Sequence, residues 1–424
     1  MNIAIYTSDF PWSGGIDFLH GLVKGLLTQT RRDVTIFILV NDLSKAPAIS
    51  VNRGLVSRSK SLVKTTALHL LRKSNYKPEE ILPLPVNNDV YNLTENVEEI
   101  FLQEEVQIIY YRDNSTNGLS DVLKGINADV VLPVLVSFPA NFGIPWIGYL
   151  FDFVYKHFTH LYTKDFCLET DIKYASTLLK AKSVIVNSRY TRHDIEKYFP
   201  YAKSKVFCLP FAPYTNEHIY NKAVEQELIK KKYGLKHLYF VISNQFWLHK
   251  SHETAFKALE ILRQSDKFKH VEIVCTGRMT DLSGTEERKL HLESSIRELG
   301  LENSIHFLGH IPKIDQLALM LRSVAVIQPT LFEGGPGGGS VYMAVANGIP
   351  TIVSDIPVNT EIQDESLVTF FKASNPTDLA EKMGQAVVEK RNVETYNVIN
   401  NRNKKRLEAV GNTIIHCIEH TIGV

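Results

Sequence analysis

"VAVIQPTLFEGGPGGGSVYMAVANGIPTIVSD", residues 324 to 355, decides the reading of the fold. Its two ends, "VAVIQPT" and "PTIVSD", are apolar runs without polar alternation, the pattern of strands covered on both faces. Between them "VYMAVAN" reads as a helix, with Ser340 as a good N-cap and Gly348 and Pro350 as its stop. Strand, helix and strand in succession are the building unit of a parallel sheet wound with helices. The joint between strand and helix holds one acid, Glu333, and five glycines within six positions, Gly334, Gly335, Gly337, Gly338 and Gly339. Bare backbone at the amino end of a helix lets a ligand approach closely, and unpaired N–H groups with the positive end of the dipole attract an anion, phosphate above all. A carboxylate there suits hydroxyl groups it can accept from, hence a polyol or sugar joined to the phosphate. The alternative is a turn that needs positive φ angles, with Glu333 merely solvated.

Outward from this unit the same rhythm fills the chain. Strand-like runs are "NIAIYTSD", "DVTIFILV", "VQIIYYRD", "DVVLPVLV", "PWIGYLFD", "SVIVNSR" and "KVFCLP", followed after "FAPYTNEHIYN" (211–221) by "HLYFVISN", "VEIVCTG", "SIHFLGH", "VAVIQPT", "PTIVSD" and "LVTFFKA". Amphipathic segments lie between most of them, and beyond about residue 390 only helical pattern remains. The expectation is an α/β protein with two Rossmann-like, doubly wound parallel-sheet domains facing across a cleft. Residues 1–212 form the amino-terminal domain, 213–392 the carboxyl-terminal one, and 393–424 helices that cross back to the first. Open sheets of this kind bind ligands at the carboxyl ends of their strands, so residues there decide the function.

Composition narrows the classes. With 47 Lys and Arg against 46 Asp and Glu, the 424-residue chain gives no global reason to expect nucleic acid. Cys167, Cys208, Cys275 and Cys417 are far apart and lack CxxC spacing or flanking histidines, which argues for a reducing compartment and against zinc or a disulfide frame. The opening "MNIAIYTSDF" reads as a strand and not as a signal peptide. The uncharged run 130–151 is broken by Pro133, Pro139, Gly143 and Pro145, so two buried strands joined by a loop are expected there in place of a membrane span. The chain is expected to be soluble and cytoplasmic.

A second constellation, "FVISNQFWLHKSHETAFKAL" (240–259), follows the first strand of the second half. Lys250 is expected to open a helix, where it opposes the dipole unless an anion such as a diphosphate is near. The plain alternative is an exposed lysine. Phe246 and Trp247, flanked by His249 and His252, would be wasted on a surface.

The order "GG" after the first strand, "NQFWLHK", "FLGHI" and "PTLFEGGPGGGS…ANGIPTIVSDIPVNTEI" resembles the retaining GT-B glycosyltransferases, most of all their large family four. The resemblance covers nearly the whole chain and is strongest from about 237 to 365. It implies transfer of a hexose-type sugar from a nucleotide-sugar to a glycan or lipid-linked acceptor in glycan biosynthesis, with retained anomeric configuration. It also implies no metal and no cofactor, in keeping with the lack of an Asp-x-Asp motif. On this resemblance Glu333 matches the first acid of Glu-x7-Glu, which holds sugar hydroxyls. The glycines after it and Ser340 match the segment whose amides face sugar and diphosphate, and Lys250 matches the lysine that neutralises the leaving diphosphate. Gly14 and Gly15 match the glycine loop that closes over the ligands, and Asp152 matches the aspartate near the reacting carbon. Asn244, with Gln245 where an arginine is usual, borders the donor site. His157, Gly277 and Arg278 are further candidates.

Departures accompany the match. The second acid is Val341 by count, or Met343 if the loop carries two extra residues, and neither accepts from a ribose hydroxyl. Phe151 stands where the histidine before Asp152 belongs, and His157 lies six positions further on, where a helix-face or core role is the plainer reading. Asp152 can equally cap the next helix. These losses leave a second possibility, a non-catalytic nucleotide-sugar-binding partner subunit. Finally, residues 44–78 hold eight Lys or Arg and no acid among leucines and valines. That stretch, 45–77 above all, suits an acceptor-side contact or a peripheral one at the inner membrane face, or else a solvated insertion.

Overall fold

The computed structural model describes residues 1–10, 12–29, 33–42, 97–98, 100–278, 285–363, 366–389 and 396–424. The basic stretch 44–78 lies outside the described residues. Among the described residues seven strands make the first sheet: β1 (Asn2–Tyr6), β2 (Thr35–Asn41), β3 (Gln107–Tyr111), β4 (Val130–Val134), β5 (Trp146–Tyr149), β6 (Ser183–Val186) and β7 (Lys205–Cys208). Six make the second: β8 (Tyr239–Ser243), β9 (Glu272–Thr276), β10 (Ile305–Phe307), β11 (Val326–Gln328), β12 (Thr351–Ser354) and β13 (Val368–Phe371). Each of the thirteen apolar runs contains one strand, and every pairing is parallel. The uncharged stretch 130–151 is β4, an exposed loop and β5.

The strand orders are β3-β2-β1-β4-β5-β6-β7 and β10-β9-β8-β11-β12-β13. Both reverse direction of growth beside their first strand, β1 against β4 and β8 against β11, which opens a crevice at those carboxyl ends. The segments after β1, β8 and β11 therefore sit at the two switch points.

The helix Ser13–Leu27 buries Ile16, Leu19, Leu22, Val23 and Leu26 on β1, β2 and β4. Against its other side lies the last helix, Tyr396–Ile422, whose Val410, Ile414, Ile415 and Ile418 join the amino-terminal core. The two helices touch backbone to backbone. A Cβ on Gly411 would stand 2.1 Å from Gly25 O, so no side chain fits at that crossing. A separate core, including Phe240, Ile242, Phe256, Leu259, Ile273 and Ile327, fills the second half.

The halves meet at their crevices. Glu361, from the carboxyl-terminal half, accepts from the amides of Arg189 (2.9 Å) and Tyr190 (2.8 Å), the first two residues of the amino-half helix Arg189–Tyr198. A carboxylate on the orphan amides of a helix start is favourable for both hydrogen bonding and the dipole. Among the described residues, no helix is long and apolar enough to cross a membrane.

Candidate active site

The loop after β11 is held from several sides. Thr330 Oγ1 donates to Phe332 O (2.7 Å), the Leu331 amide donates to His249 O (2.7 Å), and Ser354 Oγ donates to Thr330 O (2.5 Å). Gln328, the last residue of β11, sends Nε2 to Glu333 Oε1 (3.0 Å) and to Gly337 O (2.7 Å). Asn359 Oδ1 accepts from the Gly337 amide (2.8 Å). Gly337 adopts φ 70°, and a Cβ there would meet the Val341 side chain at 2.6 Å. That left-handed residue caps the helix Gly338–Ala346, so the helix begins three residues before the expected start. Ser340 is therefore not its N-cap. It lies buried inside the first turn, its hydroxyl without a partner among the described residues. The physical reason is that Gln328 and Asn359 fix Gly337 from outside the local sequence; the Gly338 amide closes the turn on Gly335 O (3.3 Å), and the amides of Gly339 and Ser340 stand at the helix mouth.

The structure brings Lys250 and Glu333 together. Lys250 Nζ lies 2.6 Å from Glu333 Oε1, with the side chains 15% and 9% exposed. Lys250 does not open a helix. It ends the 3-10 turn Leu248–Lys250, Ser251 takes φ 50°, and the helix starts at His252. The left-handed Ser251 turns the chain so that Lys250 projects to the β11 loop and escapes the unfavourable helix dipole. A buried ammonium and carboxylate neutralise one another here, and Gln328 supplies the carboxylate with a further donor.

Asp152 borders the same loop from the amino-terminal half. A Cβ on Gly334 would stand 2.5 Å from Phe151 O and 2.7 Å from Asp152 Cβ, so the loop passes against that backbone because residue 334 has no side chain. The hydroxyls of Ser188 and Thr191 each lie 2.9 Å from Gly334 O and tie the loop across the cleft. Asp152 Oδ1 accepts from the Val154 amide (2.9 Å), the local bond expected of a carboxylate before the short helix Val154–His157. Burial pushes the Asp152 carboxyl pKa up, the Val154 amide pulls it back, and the charge of Glu333 pushes it up again. His157, half-buried, hydrogen-bonds Asp194 Oδ2 (2.9 Å) and packs on Phe332, ring centroids 5.0 Å apart, beside the residue that carries the acid. His249, on the other side of Phe332, is buried, and burial beside Lys250 pushes its pKa down to about 3, so it stays neutral.

Gly14 and Gly15 do not form a loop. They occupy the first turn of the helix Ser13–Leu27, because the chain turns earlier, with the Gly15 amide donating to Trp12 O (2.9 Å). Gly14 lines a cavity of about 280 Å³ together with Gly335, Gly338 and Gly339. Asn244 bonds Gln328 Oε1 and so acts on Glu333 through that amide. Gly277, at φ 136°, lies so close to Asn244 O that a Cβ would stand at 2.0 Å. Gln245 and Arg278 are exposed. Of the aromatic residues, Phe246 belongs to the carboxyl-terminal core and Trp247 is half-buried against His249. Val341 is fully buried, whereas Met343 faces the cavity. Among the described residues no group of three or more His, Cys, Asp or Glu is placed to hold a metal ion.

Residues that sequence reading missed are the supports: Gln328, Asn359, Ser188, Thr191 and Glu361. Their partners lie from 5 to 172 positions away, and no spacing rule signals them.

Residues 225–406 match the family described as glycosyl transferases group 1. No curated protein sequence matches the chain. Among solved structures, a glycosyltransferase from Rickettsia africae is similar with a TM-score of 0.55 at 14% identity, over 100% of this chain and 96% of that one. Sucrose-phosphate synthase from Thermosynechococcus elongatus gives 0.57 at 12% identity over 98% of each chain. HepE from Anabaena, in complex with UDP, gives 0.56 at 12% identity, again over 98% of each. At such identities the likeness is one of fold.

Proposed function

With residues 225–406 belonging to the glycosyl transferases group 1, and two facing parallel-sheet domains of the GT-B kind around them, we propose that this glycosyltransferase moves a hexose-type sugar from a nucleoside-diphosphate sugar to a glycan or lipid-linked acceptor. In this reading the anomeric configuration is retained and no metal is needed. The observation that carries it is the meeting of Lys250 and Glu333 at 2.6 Å beside a glycine-lined helix start, in a crevice shared by two domains.

The diphosphate sits on the amides of Gly339 and Ser340 and draws the Lys250 ammonium to itself. Glu333, released from that ammonium but still held by Gln328, accepts from sugar hydroxyls and orients the ring. As the bond from the anomeric carbon to the phosphate oxygen breaks, charge grows on the leaving phosphate. Lys250 and the helix amides meet it without reorganising, and in a site closed to water such preorganised donors are worth most. The acceptor hydroxyl attacks from the face of departure and gives its proton to the leaving phosphate. Asp152, beside Gly334, stands next to the developing oxocarbenium carbon.

The test is a panel of UDP-, GDP- and ADP-sugars with glycan and lipid-linked acceptors, read by release of the nucleoside diphosphate and by NMR of the new linkage. Turnover with retention, unchanged by EDTA, is the expected result. Binding without turnover across the whole panel would favour the non-catalytic partner reading, and failure to bind any nucleotide would refute both.

A further inference from the structure

The cavity that opens from the glycine loop has one wall from each half. Gly335, Gly338, Gly339 and Met343 come from the carboxyl-terminal side, and Gly14 and Asp17 from the helix Ser13–Leu27. If a diphosphate occupies the helix amides at one end, the space of about 280 Å³ beyond them is where its nucleoside must go. A ribose brings two vicinal hydroxyl donors into that space. Left without an acceptor on removal from water, they weaken binding. The helix beside the glycines offers only neutral oxygens along the cavity, on Tyr342 and Asn347, and no carboxylate. Val341 is fully buried among Val345, Val353 and Ile362, and the thioether of Met343 is a weak acceptor.

The opposite wall does offer one. Asp17 is the one carboxylate among the described residues that line the cavity, and Lys313 is the one lysine or arginine. Lys313, first residue of the helix Lys313–Leu321, crosses the cleft to pair with Asp17 Oδ1. Tyr214 OH donates to the Asp17 backbone carbonyl at 2.9 Å, which fixes that turn of the helix. Asp17 Oδ2 has no hydrogen bond among the described residues, and the side chain is 35% exposed.

Resting on the donor-binding reading above, we propose that Asp17 receives the ribose hydroxyls of the donor nucleoside. The acid that the carboxyl-terminal domain lacks is thus supplied across the cleft, by the domain that does not hold the diphosphate. Ribose recognition then depends on closure. On the carboxyl-terminal domain alone the ribose of a bound nucleotide meets no acid, and only the closed form distinguishes ribose from its deoxy analogue. A site built to bond a hydroxyl rejects the ligand that lacks it more strongly than an apolar pocket rejects a shape.

Calorimetric titration with UDP, GDP and ADP, each beside its 2′,3′-dideoxy counterpart, tests this. The wild type is expected to prefer the ribose form about tenfold or more, the yield of a hydrogen bond to a charged acceptor. Asp17→Ala brings the ratio near one, and Met343→Glu in that background restores it by returning an acid to the helix wall. Lys313→Ala, which releases the cross-cleft pair but leaves the carboxylate, weakens both ligands and keeps the ratio. A ribose preference that survives Asp17→Ala, or its absence in the wild type, overturns the assignment of Asp17 and leaves the donor-binding reading standing. A wild type that binds none of the nucleotides overturns both.

Discussion

Lys250 and Glu333 reach each other from the segments that follow two adjacent strands, β8 and β11, and their terminal atoms lie 2.6 Å apart at the point where the strand order reverses. Neither charge is matched by its own element. Each makes the other tolerable in a largely buried place, which ties the stability of the site to its chemistry.

Removing one partner should therefore cost more than removing both. Lys250→Met leaves the Glu333 carboxylate with Gln328 as its remaining donor, a loss of about 2–3 kcal/mol, toward the lower end for a buried pair because some solvent reaches it. The double variant Lys250→Met/Glu333→Gln should regain most of that stability in urea denaturation while transfer stays at least about a hundredfold down. Additive destabilisation in the double variant would show that the pair is not coupled.

Asp152 should show the opposite trade. Burial raises its folded pKa above the ordinary 3.8, so the folded state holds the proton more tightly than the unfolded one. The stabilising contribution of the protonated form is present below 3.8 and is lost as pH rises through the folded value. Asp152→Asn keeps an Oδ1 for the Val154 amide and has no charge to desolvate. Its stability relative to wild type should rise across that window and then level off, while the transfer rate falls. Denaturation midpoints from pH 4 to 7 check the first part; a constant difference would contradict it.

Gly334 and Gly337 should fail in different ways. A Cβ at residue 334 would strike the backbone of Phe151 at 2.5 Å, in the opposite half, so Gly334→Ala should hold the halves apart and spare each core. Small-angle scattering should report a larger radius, with transfer reduced about a hundredfold by the misplaced loop. Gly337→Ala instead forces a side chain into φ 70° and onto Val341, so its effect should appear as lost stability. An unchanged radius for Gly334→Ala would remove that glycine from the closure.

These contrasts mark what could be read from the chain beforehand. All thirteen strands were legible because a strand buried on both faces must be apolar throughout, and runs such as "DVTIFILV" have no other use in a parallel sheet. Glu333 and Lys250 were legible as charges among glycines and aromatics. The helix start at Gly338 was not, because a good capping residue, Ser340, stood nearby while the true cap depended on Gln328 and Asn359. The turn at Ser251 was hidden similarly, since a serine gives no local sign of a left-handed backbone. Ser188, Thr191 and Glu361 act only across the domain junction, where tertiary contact alone assigns their roles.

His252 gives a prediction on acid stability that is separate from activity. It is fully buried, stacked on Phe246 with centroids 4.6 Å apart, and neither ring nitrogen has a partner among the described residues. Burial, helped by the charge of Arg288, pushes its pKa down to about 3 from the ordinary 6.5, against a smaller upward pull from Glu253. Between those values the unfolded chain binds the proton and the folded one does not. Its contribution is therefore intact above pH 6.5 and lost as pH falls toward 3, by about 1.4 kcal/mol per unit for such a group. His249, also pushed down to about 3, adds a parallel loss. His252→Phe preserves an aromatic ring against Phe246 and has nothing to protonate. The variant should gain on the wild type steadily as pH is lowered from 6.5 to 4.5, with little difference at pH 8, when followed by urea denaturation. Parallel pH profiles for the two proteins would mean that His252 is already paired or protonated in the folded chain.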